Sequence, residues 1–475
     1  MRQGLNQYRF AGIAGGLLLA AGQFWGPACV LQIVALLPLM MLVLKDRRIG
    51  PAALCGFYMG TAYTIPQMAY LLLPTLITAI LWIWITLLLV LLCIAIAYYL
   101  PKHPVLGPLA VGAVWVILDW INYTAIPFWG MAQSFTRSWT AYPFAIQFIS
   151  ITGISGVLFV IGTLSGLAAH AITLHSVPRP VIITGGSVLL LIAIINTLVW
   201  IQKPVNTLRV AAAGWVFDER TSELNPNEPE GFEEWFATPA RQSAAQGARI
   251  FTTGEMGFYI ADHDRDEWMQ RFANIAQDNN LWLIVGYFNV TKFENRLFFM
   301  SPEGVVVHEY TKVNLIPFEP GQKGNGDLKT VEVDGLTIGA MVCQDDNLSK
   351  LTRHYGKLKA DVIFSPTDDW TTVKNAHLQA VRARAIENNY GIARGCAGGI
   401  SAIISPRGEM LAKIDHYKSG PGFVIADVPV YKNKTFFSRF GHWPSLLMAA
   451  GCIGLCKIYR RKENLPAGFR ERRLL

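Results

Sequence analysis

The sequence predicts a polytopic α-helical membrane domain joined to an α/β domain. Of the 475 residues, 52% are hydrophobic and only 16% are charged, whereas soluble domains contain about 25% charged residues. Long apolar runs fill the first 200 residues. From Leu208 onward, short β-rich runs alternate with polar loops and helical segments. This change of pattern predicts two structural classes within one chain.

Eight apolar runs are the candidate membrane spans. Most are long enough to cross a ~30 Å hydrocarbon core as helices, and the first and last are marginal. The basic start of the chain leads into the first run, which we interpret as an uncleaved helix because so many further spans follow. The runs lie near residues 10–25, 28–44, 51–73, 75–100, 105–121, 144–174, 181–201 and 440–456.

Basic residues predict the orientation of these spans. The clusters occur at every second loop, so they all fall on one side, which the positive-inside rule assigns to the cytoplasm. The predicted domains are therefore a transmembrane domain of about seven spans (1–202), an extracytoplasmic catalytic domain (203–437), and a last helix with a basic cytoplasmic tail (438–475).

The net charge of +8 is confined to the membrane flanks. Residues 1–200 carry +6, the tail 457–475 carries +5, and the intervening residues carry −3. The soluble domain therefore lacks the excess of positive charge that is typical of nucleic-acid-binding domains.

Asp119 is the only acid within a predicted span. Since it lies close to the outer end of its helix, we expect an interfacial residue rather than a functional one.

The soluble part has the element pattern of an α/β domain. Strands are predicted at 207–214, 248–253, 281–288, 296–300, 304–310, 336–342 and 361–365. Helices are predicted at 229–246, 263–278 and 374–388.

Three of these strands end close to residues that could perform chemistry together. Cys343 follows strand 336–342, Glu255 follows strand 248–253, and Lys312 follows strand 304–310. A cysteine at a strand end is more often a small core residue. With the other two side chains nearby, however, Glu255 could remove the thiol proton and Lys312 could stabilise the oxyanion of a tetrahedral intermediate.

Glu255, Lys312 and Cys343, in this order and spacing, resemble the Glu-Lys-Cys triad of the nitrilase (carbon–nitrogen hydrolase) superfamily. Segment 310–319 resembles the Lys-x-x-Leu-Val-Pro-Phe-Gly-Glu signature of the apolipoprotein N-acyltransferases, the membrane-bound branch of that superfamily. The turn that ends in Trp370 and the following helix also resemble this family. The resemblance implies a nitrilase-like αββα sandwich and a supporting or substrate-binding role for Trp370.

Two positions depart from the family pattern. The family usually reads Cys-Tyr-Glu at the nucleophile, whereas this chain reads Cys343-Gln344-Asp345. The glutamate after the lysine, Glu319, comes one residue early. We expect Glu319 to keep Lys312 charged. We expect Asp345, beside Gln344, to replace the missing glutamate and position the acceptor amine or the neighbouring loop.

The resemblance implies an acyltransferase that acts through a cysteine thioester. A membrane phospholipid would be the acyl donor, and the α-amine of a diacylglyceryl-modified apolipoprotein would be the acceptor. The expected location is the bacterial cytoplasmic (inner) membrane, multi-pass, with the catalytic domain on the periplasmic side. We predict no cofactor, no metal site and no nucleic acid partner, and we expect a monomer. The alternatives are a membrane-tethered amidase with water as acceptor, and a transporter or receptor with a decayed nitrilase domain.

Overall fold

The computed structural model describes residues 2–71, 75–125, 130–173, 177–216, 224–317, 319–432 and 434–463. The chain forms two compact units. The first comprises residues 1–126, 133–198 and 442–475, and the second comprises residues 127–132 and 199–441. The predicted basic tail from residue 464 onward lies outside the described residues.

The first unit is helical. Its main helices are Arg2–Phe24, Leu37–Lys45, Ile49–Leu71, Thr75–Tyr99, Leu106–Ala125, Gly156–Thr173, Arg179–Trp200 and Trp443–Glu463. Among the described residues, five helical segments are long and apolar enough to cross a membrane, namely Gly26–Lys45, Thr75–Lys102, Leu106–Ala125, Gly156–Thr173 and Arg179–Trp200. Because such apolar lengths match the hydrocarbon core of a bilayer, this unit is a membrane domain. The count of eight spans stays a prediction.

Asp119 lies inside this unit rather than at its surface. Its side chain is fully buried. It accepts hydrogen bonds from Ser134 Oγ at 2.9 Å, from the Phe135 amide at 3.0 Å and from Ser155 Oγ at 2.8 Å. A buried carboxylate is tolerated where hydrogen-bond donors pair with its oxygens. Asp119 therefore fastens the segment around residue 134 to the helix 106–125, and the expectation of an interfacial residue was wrong.

The second unit contains two β-sheets. Its strands are β1 (Asn206–Gly214), β2 (Ile250–Thr252), β3 (Phe258–Ile260), β4 (Trp282–Asn289), β5 (Glu294–Met300), β6 (Val306–Thr311), β7 (Thr330–Val333), β8 (Leu336–Ala340), β9 (Val362–Phe364), β10 (Gly391–Arg394), β11 (Ile400–Ile404), β12 (Met410–Asp415) and β13 (Gly422–Val430). The first sheet has the order β13-β1-β2-β4-β5-β6, with β3 also paired to β4, and the second has the order β12-β11-β10-β9-β8-β7.

Each sheet is parallel at its centre. In the first sheet β1, β2 and β4 run parallel, with Val210 opposite Ile250. In the second, β8, β9 and β10 run parallel. Since parallel strands end at the same edge of a sheet, their carboxyl ends bring the loops after β2 and β4, and those after β8 and β9, to common edges.

The alternation of side chains along β1 shows that both faces of the first sheet are buried. Leu208, Val210 and Ala212 belong to the core between the sheets, whereas Ala211 and Ala213 belong to a second core beneath helices. The helices over the first sheet are the continuous segment 229–245 and Arg265–Asn279, and those that pack on the second sheet are Ser349–Lys357 and Lys374–Asn388. Successive strand residues point to opposite faces, so the unit is a four-layer αββα sandwich.

The predicted elements of this domain are confirmed. All seven strands and all three helices are present, with ends displaced by at most two residues. Strands β3, β7, β10 and β13 were not predicted. β3 has only three residues, and β13 contains Asp427 and Pro429, which weaken the strand pattern.

Candidate active site

Cys343 stands at the carboxyl end of β8, where the chain turns sharply. Its φ is +46°, a left-handed conformation that costs on the order of 1–3 kcal/mol in a non-glycine residue. The Cys343 amide donates to the Pro366 carbonyl at 2.9 Å, which ties this turn to the loop after β9. The side chain is only 8% exposed. A turn of this kind fixes the thiol at the sheet edge instead of leaving it in the core.

Glu255 follows β2 and is almost completely buried, with 2% exposure. One carboxylate oxygen, Oε1, accepts hydrogen bonds from Lys312 Nζ at 2.8 Å and from Asn295 Nδ2 at 2.7 Å. The other, Oε2, accepts from the Asp368 amide at 2.9 Å. Gly254 permits this arrangement, since a Cβ there would lie 2.1 Å from the Ala397 amide nitrogen. The loops of the two sheets therefore meet at Glu255, the candidate general base.

Lys312 follows β6 and lies between two carboxylates. Its Nζ is 2.8 Å from Glu255 Oε1, 2.6 Å from Glu319 Oε1 and 2.8 Å from Glu319 Oε2. Burial alone would lower the pKa of this ammonium, but the charges of Glu255, Cys343 and Glu319 together raise the pKa above its usual range. Lys312 is therefore a fixed positive charge. Glu319 can balance it at the moment when Glu255 holds a proton.

The nucleophile begins as a thiol. Burial raises the pKa of Cys343 well above the usual range, the charge of Glu255 raises it further, and Lys312 opposes both. A thiol of this kind needs a base at the time of attack. The backbone of Asp368 joins the two groups, because its amide donates to Glu255 Oε2 at 2.9 Å and its carbonyl lies 3.7 Å from Cys343 Sγ.

Asp345 holds the lysine-bearing segment. Its buried carboxylate accepts hydrogen bonds from the Tyr310 hydroxyl at 2.7 Å, from the Asn314 amide at 2.8 Å and from Asn314 Nδ2 at 2.7 Å. Burial raises the pKa of Asp345 to about 6, while the Tyr310 and Asn314 hydrogen bonds lower it in part. We therefore expect Asp345 to act by positioning Lys312, which favours the neighbouring loop over the acceptor amine, the two alternatives expected from the sequence.

The two other predicted supporting residues differ in exposure. Gln344 is buried, and its Oε1 accepts a hydrogen bond from Asn347 Nδ2 at 3.0 Å. Trp370 is 36% exposed, two residues after Asp368. A substrate-binding role for Trp370 stays a prediction.

A buried charge network beneath the nucleophile was not predicted. His377 Nδ1 lies 2.7 Å from Asp369 Oδ1, and His377 Nε2 lies 2.7 Å from Asp346 Oδ1. Arg394 donates to the other oxygen of Asp369. Burial would lower the pKa of His377, but Asp369 and Asp346 raise it to about 9, so that the imidazolium cross-links two acidic segments. His377 lies in the predicted helix 374–388, which resembles the family, but nothing in the sequence indicated that it meets Arg394.

One set of atoms in this network has the composition of a metal site. Cys343, Asp369 and His377 each place a potential ligand atom within 4.8 Å of the others. Both ring nitrogens of His377 already contact carboxylates, and Arg394 brings a cation to Asp369. A second buried cation among these groups would be repelled. We therefore interpret the set as a positioning network.

In the comparison with known proteins, each of the two units matches one protein-family model. Residues 233–432 match the family model described as carbon–nitrogen hydrolase, and residues 14–167 match the model described as the apolipoprotein N-acyltransferase N-terminal domain. The chain is 22% identical to apolipoprotein N-acyltransferase 2 of Treponema denticola, over 74% of this chain and 76% of that protein. It is 22% identical to the apolipoprotein N-acyltransferase of Ralstonia nicotianae, over 96% of this chain and 93% of that protein.

Two further similarities cover half of this chain or less. An amidase structure from Nesterenkonia sp. is 22% identical and covers 48% of this chain and 92% of that chain, with a TM-score of 0.38. A deaminated glutathione amidase of Dictyostelium discoideum is 25% identical over 35% of this chain.

The αββα sandwich and the match of residues 233–432 define an enzyme of the carbon–nitrogen hydrolase superfamily. The helical unit adds a second, more specific match, because residues 14–167 match the acyltransferase N-terminal domain. The chain belongs to the apolipoprotein N-acyltransferases, the membrane-bound branch of that superfamily, and it is a bacterial membrane protein.

Proposed function

We propose that this enzyme moves a fatty acyl chain from a phospholipid, through a thioester on Cys343, to the α-amine of the lipid-modified N-terminal cysteine of apolipoproteins. The observation that carries the proposal is the buried ammonium of Lys312, held at 2.8 Å from Glu255 and 2.6 Å from Glu319, in a chain with an acyltransferase N-terminal domain. A fixed cation of this kind can stabilise the oxyanion of an ester or thioester intermediate.

In the first half-reaction Glu255 takes the proton of the Cys343 thiol, and the thiolate attacks the ester carbonyl of the phospholipid. The carbonyl oxygen becomes an oxyanion that the Lys312 ammonium stabilises. The intermediate collapses with cleavage of the ester C–O bond, and Glu255 gives its proton to the leaving lyso-phospholipid. The products are a thioester and an ionised Glu255.

In the second half-reaction the neutral α-amine attacks the thioester carbonyl. Glu255 takes a proton from the nitrogen, the C–S bond breaks, and Glu255 returns that proton to the Cys343 thiolate. The amide is released, and the enzyme is ready for another cycle. Glu319 keeps Lys312 paired in the steps during which Glu255 is neutral.

A membrane-tethered hydrolase would use the same first half-reaction with water as acceptor. Purified enzyme incubated with phospholipid alone should show an acyl adduct on Cys343 by mass spectrometry and release little free fatty acid. A diacylated lipopeptide should then consume the adduct and become N-acylated. Release of free fatty acid at one rate with and without lipopeptide would favour the hydrolase.

The proposed setting is the cytoplasmic (inner) membrane, with the catalytic unit on the extracytoplasmic side and the enzyme acting as a monomer. Support comes from the basic residues, which all fall on one predicted side of the spans. Phospholipid and a lipid-anchored acceptor are both available at the outer leaflet.

Thiol labelling tests this orientation. His263 is 81% exposed at its side chain in the catalytic unit, and Asn464 lies within the predicted tail 457–475. An impermeant thiol reagent added to intact cells should label His263→Cys and spare Asn464→Cys, with the unaltered chain as the background control. The opposite orientation would be indicated if His263→Cys were labelled only after lysis and Asn464→Cys were labelled in intact cells.

A further inference from the structure

We propose that Asp368 is a further catalytic residue, which takes a proton from the incoming α-ammonium of the acceptor before that amine attacks the Cys343 thioester. This inference rests on the proposed function and concerns only its second half-reaction. It assigns a role to a carboxylate that the mechanism above does not use.

The backbone of Asp368 places its side chain at the reacting groups. Its amide donates to Glu255 Oε2 at 2.9 Å, and its carbonyl oxygen lies 3.7 Å from Cys343 Sγ. Cys343, Glu255 and Lys312 are buried, whereas Asp368 is exposed. Asp368 is therefore an exposed acid whose own backbone contacts both the base and the nucleophile.

The two adjacent acids of this loop have different surroundings. Asp369 is buried, and its oxygens are held by His377 Nδ1 at 2.7 Å and by Arg394. Within the described ranges, no residue donates a hydrogen bond to the Asp368 carboxylate. Neighbouring carboxyls in contrasting environments commonly divide structural and acid–base roles. Here Asp369 belongs to the network and Asp368 is available to a substrate.

Gly398 provides the space for this carboxylate. A Cβ at Gly398 would lie 2.7 Å from Asp368 Oδ1 and 3.1 Å from the Tyr417 hydroxyl oxygen. Any side chain at Gly398 would displace one of these groups. Glycine at position 398 therefore leaves room for the Asp368 side chain against the backbone. A substitution at Gly398 is a second way to displace the Asp368 carboxylate.

The electrostatic setting suits proton exchange with an amine. Asp368 is exposed as a residue, yet protein atoms crowd around its carboxylate. Desolvation by these atoms, together with the charges of Glu255 and Asp369, raises the pKa of Asp368 to about 7, and Lys312 opposes them. An α-amino group has a pKa of about 7.7–8.0. The titratable groups that face Asp368 are Glu255, Asp369, Lys312, Glu319, Cys396 and Tyr417.

The second half-reaction requires the removal of two protons from nitrogen. At neutral pH the acceptor arrives largely as an ammonium, which has no lone pair for attack. Asp368 takes the first proton and later releases it to water. The free amine attacks, Glu255 takes the second proton as the C–N bond forms, and Glu255 passes it to the sulfur as the C–S bond breaks. All protons are accounted for, and the reaction needs no co-reactant.

The test uses the full-length enzyme, preloaded with acyl chain from phospholipid, and follows consumption of the adduct by a diacylated lipopeptide between pH 6 and 10. Asp368→Asn should load at a rate close to that of the unaltered enzyme. At pH 7 its transfer to lipopeptide should be at least ~10-fold slower, in line with general-base effects. Its transfer should recover above pH 8, where the amine is already neutral.

Hydroxylamine serves as a nucleophile that is neutral at pH 7, and Asp368→Asn should react with it at the rate of the unaltered enzyme. Gly398→Ala, which keeps the carboxylate but displaces it, should show the same selective loss with lipopeptide. Asp278→Asn, on the exposed side of a distant helix, is the matched control and should leave both rates unchanged.

Equal pH profiles for Asp368→Asn and the unaltered enzyme would overturn this inference alone. So would loss of the hydroxylamine reaction in proportion to the lipopeptide reaction, since that indicates a structural effect. Absence of any adduct on the unaltered enzyme would instead overturn the proposed function, and this inference with it.

Discussion

Cys343→Ala is expected to form no acyl adduct and to show no transfer, because alanine removes the atom to which the acyl chain is attached. The thiol is held at a strained turn, φ +46°, with its sulfur 3.7 Å from the Asp368 carbonyl. No other side chain of the site can replace it as a nucleophile for an ester. Intact-protein mass spectrometry with phospholipid, followed by lipopeptide acylation, measures both losses.

Cys396→Ala is the matched control, because Cys396 is also a buried cysteine of the catalytic unit. Its thiol donates to the Gly398 carbonyl and takes no part in the proposed reaction. This variant should keep both adduct formation and transfer. Turnover of Cys343→Ala near that of the unaltered enzyme would end the thioester mechanism.

Lys312→Met is expected to slow adduct formation by ~10²-fold or more, the effect of losing a main oxyanion donor. Methionine keeps much of the side-chain volume, so the expected loss comes from the charge. It also leaves Glu255 and Glu319 sharing Asn295 Nδ2, at 2.7 and 3.2 Å, without a cation between them. Two neighbouring carboxylates without a cation repel each other, which would disturb the position of the base as well.

A second variant separates these two effects. Lys312→Met combined with Glu319→Gln removes one carboxylate along with the ammonium and so lowers the repulsion. If Lys312 stabilises the oxyanion, thermal stability should improve over Lys312→Met while the rate of adduct formation stays low. Recovery of the rate in the double variant would assign the effect to charge balance, and a rate within a few-fold of the unaltered enzyme for Lys312→Met would contradict the oxyanion role.

The sequence predicted the catalytic triad because each member lies at a strand end. Polar residues directly after apolar runs such as 336–342 are conspicuous, and strand ends of α/β sheets are where sites form. Asn295 gave no such signal. It lies within β5 and contacts both Glu255 and Glu319 only because β5 pairs with β6 and brings its side chain to the lysine.

Asp345 shows where the sequence pattern was insufficient. Its position two residues after the nucleophile left open whether it contacts the acceptor amine or the neighbouring loop. The fold turns the carboxylate inward, where Tyr310 and Asn314 satisfy it. Direction of a side chain within a tight turn depends on φ and on the neighbouring strands, and neither can be read from residue order.

By itself, the sequence determined the division into an apolar helical part and an α/β part, and it determined which residues could supply a thiol, a base and an ammonium. These properties follow from local composition and periodicity. Only the tertiary structure decided that Asn295 donates to both Glu255 and Glu319, that His377 joins Asp346 to Asp369, and that Asp368 is exposed while Asp369 is buried. Those contacts join residues from separate strands and loops, so their geometry is set by how the two sheets pack, a non-local property that no single stretch of sequence contains.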